Sequence, residues 1–201
     1  MASDRGWIYA LGGVSVALLL AGLAAGASVA GETAAIVATY PKCSPALARE
    51  IVRVARQLGT EPFWLADLIW FESGLTFDPA ERNEIGATGL IQFTPKTAKR
   101  LGTTTDALAQ LSGVEQMAWV ERYLDLVRRG QWADDPRPVA LDTFQALAMS
   151  VFYLPGRDKP ESYPLPDWAR DANKGIEVVG DYMRLVKRSG KLWSLVNGGA
   201  T

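Results

Sequence analysis

One glutamate stands where a carboxyl group can act as an acid. Glu72 follows the largely apolar residues 62–71, and Ser73 and Gly74 come directly after it. Low-dielectric surroundings disfavour a carboxylate and raise its pKa, and the negative end of a helix acts in the same direction. A carboxyl group that is still protonated near neutral pH can donate a proton to a leaving oxygen. Glu72 is therefore the candidate catalytic residue.

The composition excludes several other kinds of catalysis. The chain has no histidine, which excludes Ser-His-Asp and Cys-His sites and HExxH zinc sites. Cys43 is the only cysteine, so neither an intramolecular disulfide nor a multi-cysteine metal site can form. A net charge of -1 gives no overall attraction to nucleic acid. We expect carboxylate chemistry with no metal, no cofactor and no nucleic-acid partner.

The elements that must position Glu72 are helices. Residues 44–201 show apolar residues at helical spacing, and no strand pattern of comparable length is present. Residues 62–72 are apolar on most faces, which is typical of a buried central helix. The predicted helix starts are Ser44-Pro45, Thr60–Pro62, Thr94-Pro95, the capping box Ser112–Glu115, Asp142 and Val178. The sequence predicts an all-α domain over residues 44–201, with an irregular loop at 155–170.

The first part of the chain has the composition of a membrane segment. Residues 6–31 contain no charged residue, and as a helix they would extend about 39 Å, more than the ~30 Å hydrocarbon core of a bilayer. We predict a transmembrane or signal-anchor segment at 1–31 and a linker at 32–43. Arg5 favours a cytoplasmic N-terminus, with the rest of the chain outside. A cleaved signal peptide and a segment that later leaves the membrane are the alternatives.

Three short motifs resemble those of one enzyme family. Glu72-Ser73 and the Gly-Leu-Ile-Gln sequence of residues 89–92 resemble motifs of the lytic transglycosylases, lysozyme-like enzymes that cut peptidoglycan glycan strands. Ile91 replaces the usual Met. The family's Ala-Tyr-Asn-x-Gly motif is approximated at residues 152–156, with Leu154 in place of Asn. The resemblance covers residues 44–190, and residues 148–155 with 173–176 look like its phage-encoded branch.

The resemblance implies a fold, a reaction and a set of site residues. The fold is a lysozyme-like helical domain. Glu72 protonates the glycosidic oxygen and later accepts the proton of the C6 hydroxyl, which leaves a 1,6-anhydro end. The residues implied to bind substrate are Ser73, Gly89, Leu90, Ile91, Gln92, Phe93 and Tyr153. The implied protein is a phage virion protein or endolysin, with peptidoglycan as its partner outside the cytoplasm and other virion or envelope proteins as further partners.

Two other functions stay open at this stage. A hydrolytic muramidase would need a second carboxylate, and the available acids are Asp78, Glu81, Glu84 and Asp106. A non-catalytic virion or envelope protein that only binds glycan is compatible with the altered third motif.

The tryptophans divide into two groups by their surroundings. Trp64 and Trp70 lie in the apolar central helix, where we expect them to pack in the core. Trp132 and Trp168 lie in polar, Pro-containing segments and are the candidates for stacking on sugars.

Overall fold

The computed structural model describes residues 28–192, and the fold of this part is all-α, as predicted. Nine α-helices and one 3-10 turn follow one another in the described range, where β pairing is limited to isolated bridges. The helices are α1 Val29–Thr39, α2 Pro45–Leu58, α3 Pro62–Glu72, α4 Pro95–Leu101, α5 Thr105–Ala109, α6 Gly113–Arg128, α7 Phe144–Phe152, α8 Asp167–Ala172 and α9 Val179–Ser189, with the 3-10 turn at Leu154–Gly156.

Local sequence signals explain the predicted helix starts. The Ser44 hydroxyl accepts a hydrogen bond from the Leu47 backbone N–H at the start of α2. At α6, Ser112 and Glu115 form the predicted capping box. Gly59 ends α2 in the left-handed region with φ of 75°, a conformation that costs glycine little. These helix boundaries are confirmed. They could be predicted because each depends on residues that are close together in the sequence.

Helix α3 lies at the centre of the domain. It packs against α1, α2, α7 and α9, and most of its side chains are buried. Trp64 and Trp70 are partly buried and pack against the core, as predicted. The central position explains why residues 62–71 are apolar on nearly every face, and it fixes the place at which α3 ends with Glu72.

One buried carboxyl group connects α3 to both ends of the described chain. The Asp67 side chain is fully buried and accepts hydrogen bonds from the Tyr40 hydroxyl and, at 3.1 Å, from the Leu192 backbone N–H. The Lys191 backbone N–H donates to the Tyr40 oxygen at 2.7 Å. Asp67 therefore joins the segment before α2 and the segment after α9 to the helix that carries Glu72.

The prediction of a linker at residues 32–43 is wrong. Residues 29–39 form α1, in which Ile36 is fully buried, and Tyr40 directly after it is also buried. Glu32 in the first turn pairs with Arg56 of α2 at 3.0 Å. Apolar residues in this segment pack against α2 and α3, and that tertiary packing outweighs the weak local signal.

Most of the predicted membrane segment lies outside the described residues. Residues 6–27 fall before the described range, and only 28–31 are part of it. From residue 28 to residue 192, no helix has both the length and the apolar character needed to cross a bilayer.

The segment predicted as an irregular loop contains a short helix. Helix α8 occupies residues 167–172, and its first turn carries the ion pair of Asp167 with Arg170. Helix α5 at residues 105–109 was also not predicted. Both have at most six residues, which is too short for a clear 3.6-residue periodicity.

Candidate active site

Glu72 lies at the C-terminal end of α3 with its side chain largely enclosed by protein. Residue 72 keeps only partial solvent exposure, and burial raises the pKa of its carboxyl group to about 7. The hydrogen bond that the Tyr182 hydroxyl donates to Glu72 Oε1 acts in the opposite direction, because it stabilises the carboxylate. Burial has the larger effect. A substantial fraction of Glu72 is therefore protonated at neutral pH.

Aromatic rings hold Tyr182 against Glu72. The Tyr182 ring stacks on Phe152 with centroids 4.1 Å apart and planes 7° apart. Its other contact is the edge of Phe71, at a centroid distance of 5.7 Å. Burial and the neighbouring Glu72 carboxylate raise the pKa of the Tyr182 hydroxyl well above its ordinary value, so the hydroxyl remains a donor. Helices α3, α7 and α9 thus each contribute a ring to the surroundings of the acid.

Tyr182 was not predicted as a partner of Glu72. It lies in the helix predicted to start at Val178, where its position indicates only a core residue. Its burial is consistent with that interpretation, since only 1% of its surface is exposed. A buried tyrosine needs a partner for its hydroxyl, and that need was the one available signal.

Ser73 supports the turn after α3 and does not face the solvent. Its hydroxyl donates to the Ile69 carbonyl at 2.7 Å and accepts from the Phe77 backbone N–H at 2.9 Å. The residue is fully buried. The resemblance implied that Ser73 binds substrate, but in this structure both hydrogen-bonding functions of its hydroxyl are used within the protein.

Backbone strain is concentrated around Glu72 and the Gly-Leu-Ile-Gln segment. Among the described residues, the non-glycine residues with positive φ are Leu75 at 63°, Phe77 at 60° and Gln92 at 51°. Such conformations cost free energy and persist only where the surroundings enforce them. The bond from Phe77 N–H to Ser73 is one such constraint. These three residues lie in two segments, and Glu81 contacts both segments. Such clustering is typical of a functional site.

Residues 89–92 form a tight turn between Thr88 and Phe93. The backbone N–H groups of Thr88 and Phe93 each donate to the other residue's carbonyl, at 3.0 and 2.9 Å. The Gln92 side-chain NH₂ donates to the carbonyls of Gly89 at 3.1 Å and Glu81 at 3.2 Å. Gln92 is partly exposed. Its amide nitrogen ties the loop together, whereas the resemblance implied a contact with substrate.

A buried glutamine fixes this turn from the far side. Gln116 of α6 accepts a hydrogen bond from the Leu90 backbone N–H at 2.6 Å and donates to the carbonyls of Pro79 and Leu108, each at 3.0 Å. It also lies against Gly89, because a methyl group added there would be 2.3 Å from Gln116 Oε1. The glycine is needed for this close approach. Gln116 was not predicted, since nothing in its local sequence separates it from a surface glutamine.

The apolar side chains of the turn pack in the core. Leu90, Ile91 and Phe93 have exposed fractions of 0%, 3% and 1%. The resemblance implied that they bind substrate, but their side chains are directed inward. These residues can therefore contribute to a cleft only through their backbone atoms.

Of the four other acids considered, Glu81 lies next to the end of α3. A methyl group added at Gly74 would be 3.5 Å from Glu81 Cδ. Asp106 pairs with Arg82 at 2.7 Å, and Asp78 accepts the Ala80 backbone N–H at 2.8 Å. Glu84 is exposed. The structure therefore places one second carboxyl group, that of Glu81, beside the turn that follows Glu72.

Tyr153 and Trp168 lie together, whereas Trp132 is buried. The Tyr153 ring meets Trp168 edge to face at a centroid distance of 6.0 Å, and Trp168 is 62% exposed. Trp132 is only 7% exposed and packs on Tyr123. The prediction that Trp132 can stack on a sugar is wrong, because its loop folds back onto α6.

Comparisons with known proteins returned no match, whether to a family model, to a curated protein or to a solved structure. Within residues 28–192, no group of three or more acidic or cysteine side chains is arranged to hold a metal ion.

Proposed function

We propose that this protein is a peptidoglycan lytic transglycosylase that uses Glu72 as its only acid and base. The observation that carries the proposal is the enclosed Glu72 carboxyl group, whose pKa is raised to about 7 and which Tyr182 holds by a hydrogen bond. The motif resemblance at residues 72–73 and 89–92 supplies the substrate class. Strained backbone around the acid, and a turn fixed by Gln92 and Gln116, are in keeping with a preorganised site.

The reaction moves two protons through one carboxyl group. Protonated Glu72 gives its proton to the glycosidic oxygen, and the bond from that oxygen to C1 of N-acetylmuramic acid breaks. The 2-acetamido group of the sugar assists departure. The C6 hydroxyl of the same sugar then attacks C1, and the Glu72 carboxylate accepts the proton of that hydroxyl. The product ends in 1,6-anhydro-muramic acid, no water is consumed, and Glu72 is again protonated.

A hydrolytic muramidase is the second candidate, and Glu81 is the observation that favours it. Hydrolases generally use two carboxyl groups, one of them to activate water or to form a covalent intermediate. The Glu81 side chain lies beside Gly74, and Gly74 is two residues after Glu72 in the chain. In that mechanism Glu81 is catalytic. In the transglycosylase mechanism its backbone carbonyl alone is needed, as acceptor for Gly89 and Gln92.

Delivery to the wall is part of the proposal. Residues 6–31 form the uncharged stretch that would carry the domain out of the cytoplasm, either as a retained anchor or as an export signal. Fractionation of expressing cells tests this. Deleting residues 6–27, which lie before α1, should leave the protein in the cytoplasm, and export of the deleted form would contradict the assignment.

Product analysis separates the candidates. Purified peptidoglycan is incubated with the full-length protein, and the released muropeptides are analysed by mass spectrometry. Anhydro products, lighter by one water molecule than hydrolysis products, support the transglycosylase. Reducing ends that disappear with Glu81→Gln support the muramidase. Binding to the wall with no release from folded protein supports a non-catalytic glycan-binding protein and contradicts both enzymes.

A further inference from the structure

We propose that Trp168, together with Tyr153, forms an outer sugar-binding subsite for the glycan strand. This inference rests on the proposed function, because it concerns how the same substrate is held away from Glu72. It assigns binding to a residue of α8 that lies outside the three motifs. The ligand is a β-1,4-linked chain of N-acetylated sugars.

The exposure of Trp168 is the first observation. With 62% of its surface exposed, it differs from the other described tryptophans, which are buried or partly buried. Its indole is supported on one side by the edge of Tyr153 at 6.0 Å. Large aromatic side chains bury well in cores and interfaces, so an indole left open and braced by a second ring is suited to a ligand that covers it.

Ring contacts, with one step along the backbone, connect this pair to the acid. Tyr182 contacts Glu72 through its hydroxyl and stacks on Phe152 at 4.1 Å. Tyr153 is the next residue in the chain, and its ring meets Trp168. Trp168 is thus only two ring contacts and one peptide unit from the ring that holds Glu72. On the basis of this connection, we place the outer subsite along the strand from Glu72.

Helix α8 also carries charged groups. Arg170 and Asp171 line an open cavity of about 670 Å³ together with Asp167, and Trp168 is not among the lining residues. Arg170 is held by ion pairs to Asp167 and, at 3.4 Å, to Glu177. Sugar hydroxyl and acetamido groups both donate and accept hydrogen bonds, and this cavity offers charged donors and acceptors on the helix that carries the indole.

The same surroundings favour a sugar over a protein partner. A pyranose ring has an apolar face of C–H groups edged by hydroxyls, which matches one exposed indole on a helix with charged side chains. Sites of protein contact generally present larger contiguous apolar patches. In α8, Trp168 is the only exposed large apolar residue, and Asp167, Arg170 and Asp171 of the same helix are charged.

Binding is tested in the full-length Glu72→Gln protein, which keeps glycan intact. Titration calorimetry with the dimer and the hexamer of β-1,4-linked N-acetylglucosamine compares Trp168→Ala and Trp168→Phe. The matched control is Val114→Ala, which removes another exposed apolar side chain, from α6. We expect Trp168→Ala to weaken hexamer binding about tenfold. Trp168→Phe should recover most of the affinity, and dimer binding should be unchanged.

Cleavage kinetics provide the second measurement. With Glu72 present, Trp168→Ala should raise KM for long glycan strands and leave kcat nearly unchanged, because the subsite lies away from the reacting bond. Unchanged hexamer affinity and KM in a protein that still cleaves glycan would overturn the subsite and leave the proposed function standing. If the wild-type protein neither binds nor cleaves glycan, both the subsite and the proposed function are wrong.

Discussion

The Tyr182 hydroxyl donates a hydrogen bond to Glu72 Oε1 across 110 positions of the sequence. Through this bond, α9 near the end of the described chain becomes part of the site that α3 provides. The ring of Tyr182 is fixed by Phe152 and Phe71, so the orientation of the carboxyl group depends on three helices. In the proposed mechanism, Tyr182 acts through Glu72 and is a positioning residue.

Tyr182→Phe should move the pH dependence of cleavage. The hydroxyl stabilises the Glu72 carboxylate and lowers its pKa, so its removal should raise that pKa above about 7. The alkaline limb of kcat/KM should then shift to higher pH, together with a loss of rate from poorer orientation. A pH–rate profile of both proteins measures this. A lower rate with an unmoved alkaline limb would show that Tyr182 matters only for packing.

Glu72→Gln should increase the stability of the protein at neutral and alkaline pH, but not at acidic pH. The pKa of Glu72 is near 4.5 in the unfolded chain and about 7 in the folded protein. At pH values between these two, the folded state binds more protons at this site than the unfolded state does. Its carboxyl group therefore lowers stability as pH rises through that window. At pH 8 we expect Glu72→Gln to be about 2 kcal/mol more stable than wild type, after allowance for the partial exposure of residue 72, with little difference at pH 4.

Urea unfolding at the two pH values checks this expectation, with Glu84→Gln as the control at an exposed glutamate. Equal stability of wild type and Glu72→Gln at both pH values would contradict a raised pKa at Glu72.

Asp67→Ala should destabilise the whole domain. The substitution leaves the Tyr40 hydroxyl and the Leu192 backbone N–H without their buried acceptor. We expect a loss of about 3 kcal/mol in the free energy of unfolding. Thermal or urea unfolding measures it, and Asp171→Ala at an exposed site is the control. A loss no larger than that of the control would show that Asp67 does not hold the chain ends to α3.

Gly89→Ala should disturb the turn through Gln116. The added methyl would lie 2.3 Å from Gln116 Oε1, at a backbone φ of 91°. Each of Gly89→Ala and Gln116→Ala should cost about 2 kcal/mol or more, from strain and from unpaired polar groups respectively. Because the clash disappears without Gln116, the double variant should lose less than the sum. Additive losses would show that the two residues do not interact.

Local signals in the sequence were enough to predict much of the fold and the enclosed position of Glu72. Ser44, Ser112 and Glu115 form hydrogen bonds with residues a few positions away, so the helix starts that they specify could be predicted. The enclosure of Glu72 could be predicted because its apolar neighbours are adjacent in sequence. The linker prediction failed at Ile36, whose burial depends on packing against other helices.

The rest of the site depends on contacts between distant residues. Tyr182 and Gln116 act on residues 110 and 26 positions away, and no local pattern reveals such partners. Ser73 and Gln92 were expected to contact substrate because of the resemblance, yet their hydrogen bonds are made within the protein. The short motifs mark segments that Glu81 links in the structure, but they do not specify the contacts of each side chain.

The most direct measurement is the rate at which the full-length protein cleaves purified peptidoglycan, compared between wild type, Glu72→Gln and Glu81→Gln. The amide of Glu72→Gln cannot donate a carboxylic proton, so we expect a loss of about a thousandfold or more in a folded protein that still binds glycan. Glu81→Gln should keep most of the activity, because its backbone carbonyl is unchanged. Near-normal turnover by Glu72→Gln would contradict the assignment of Glu72 as the catalytic acid.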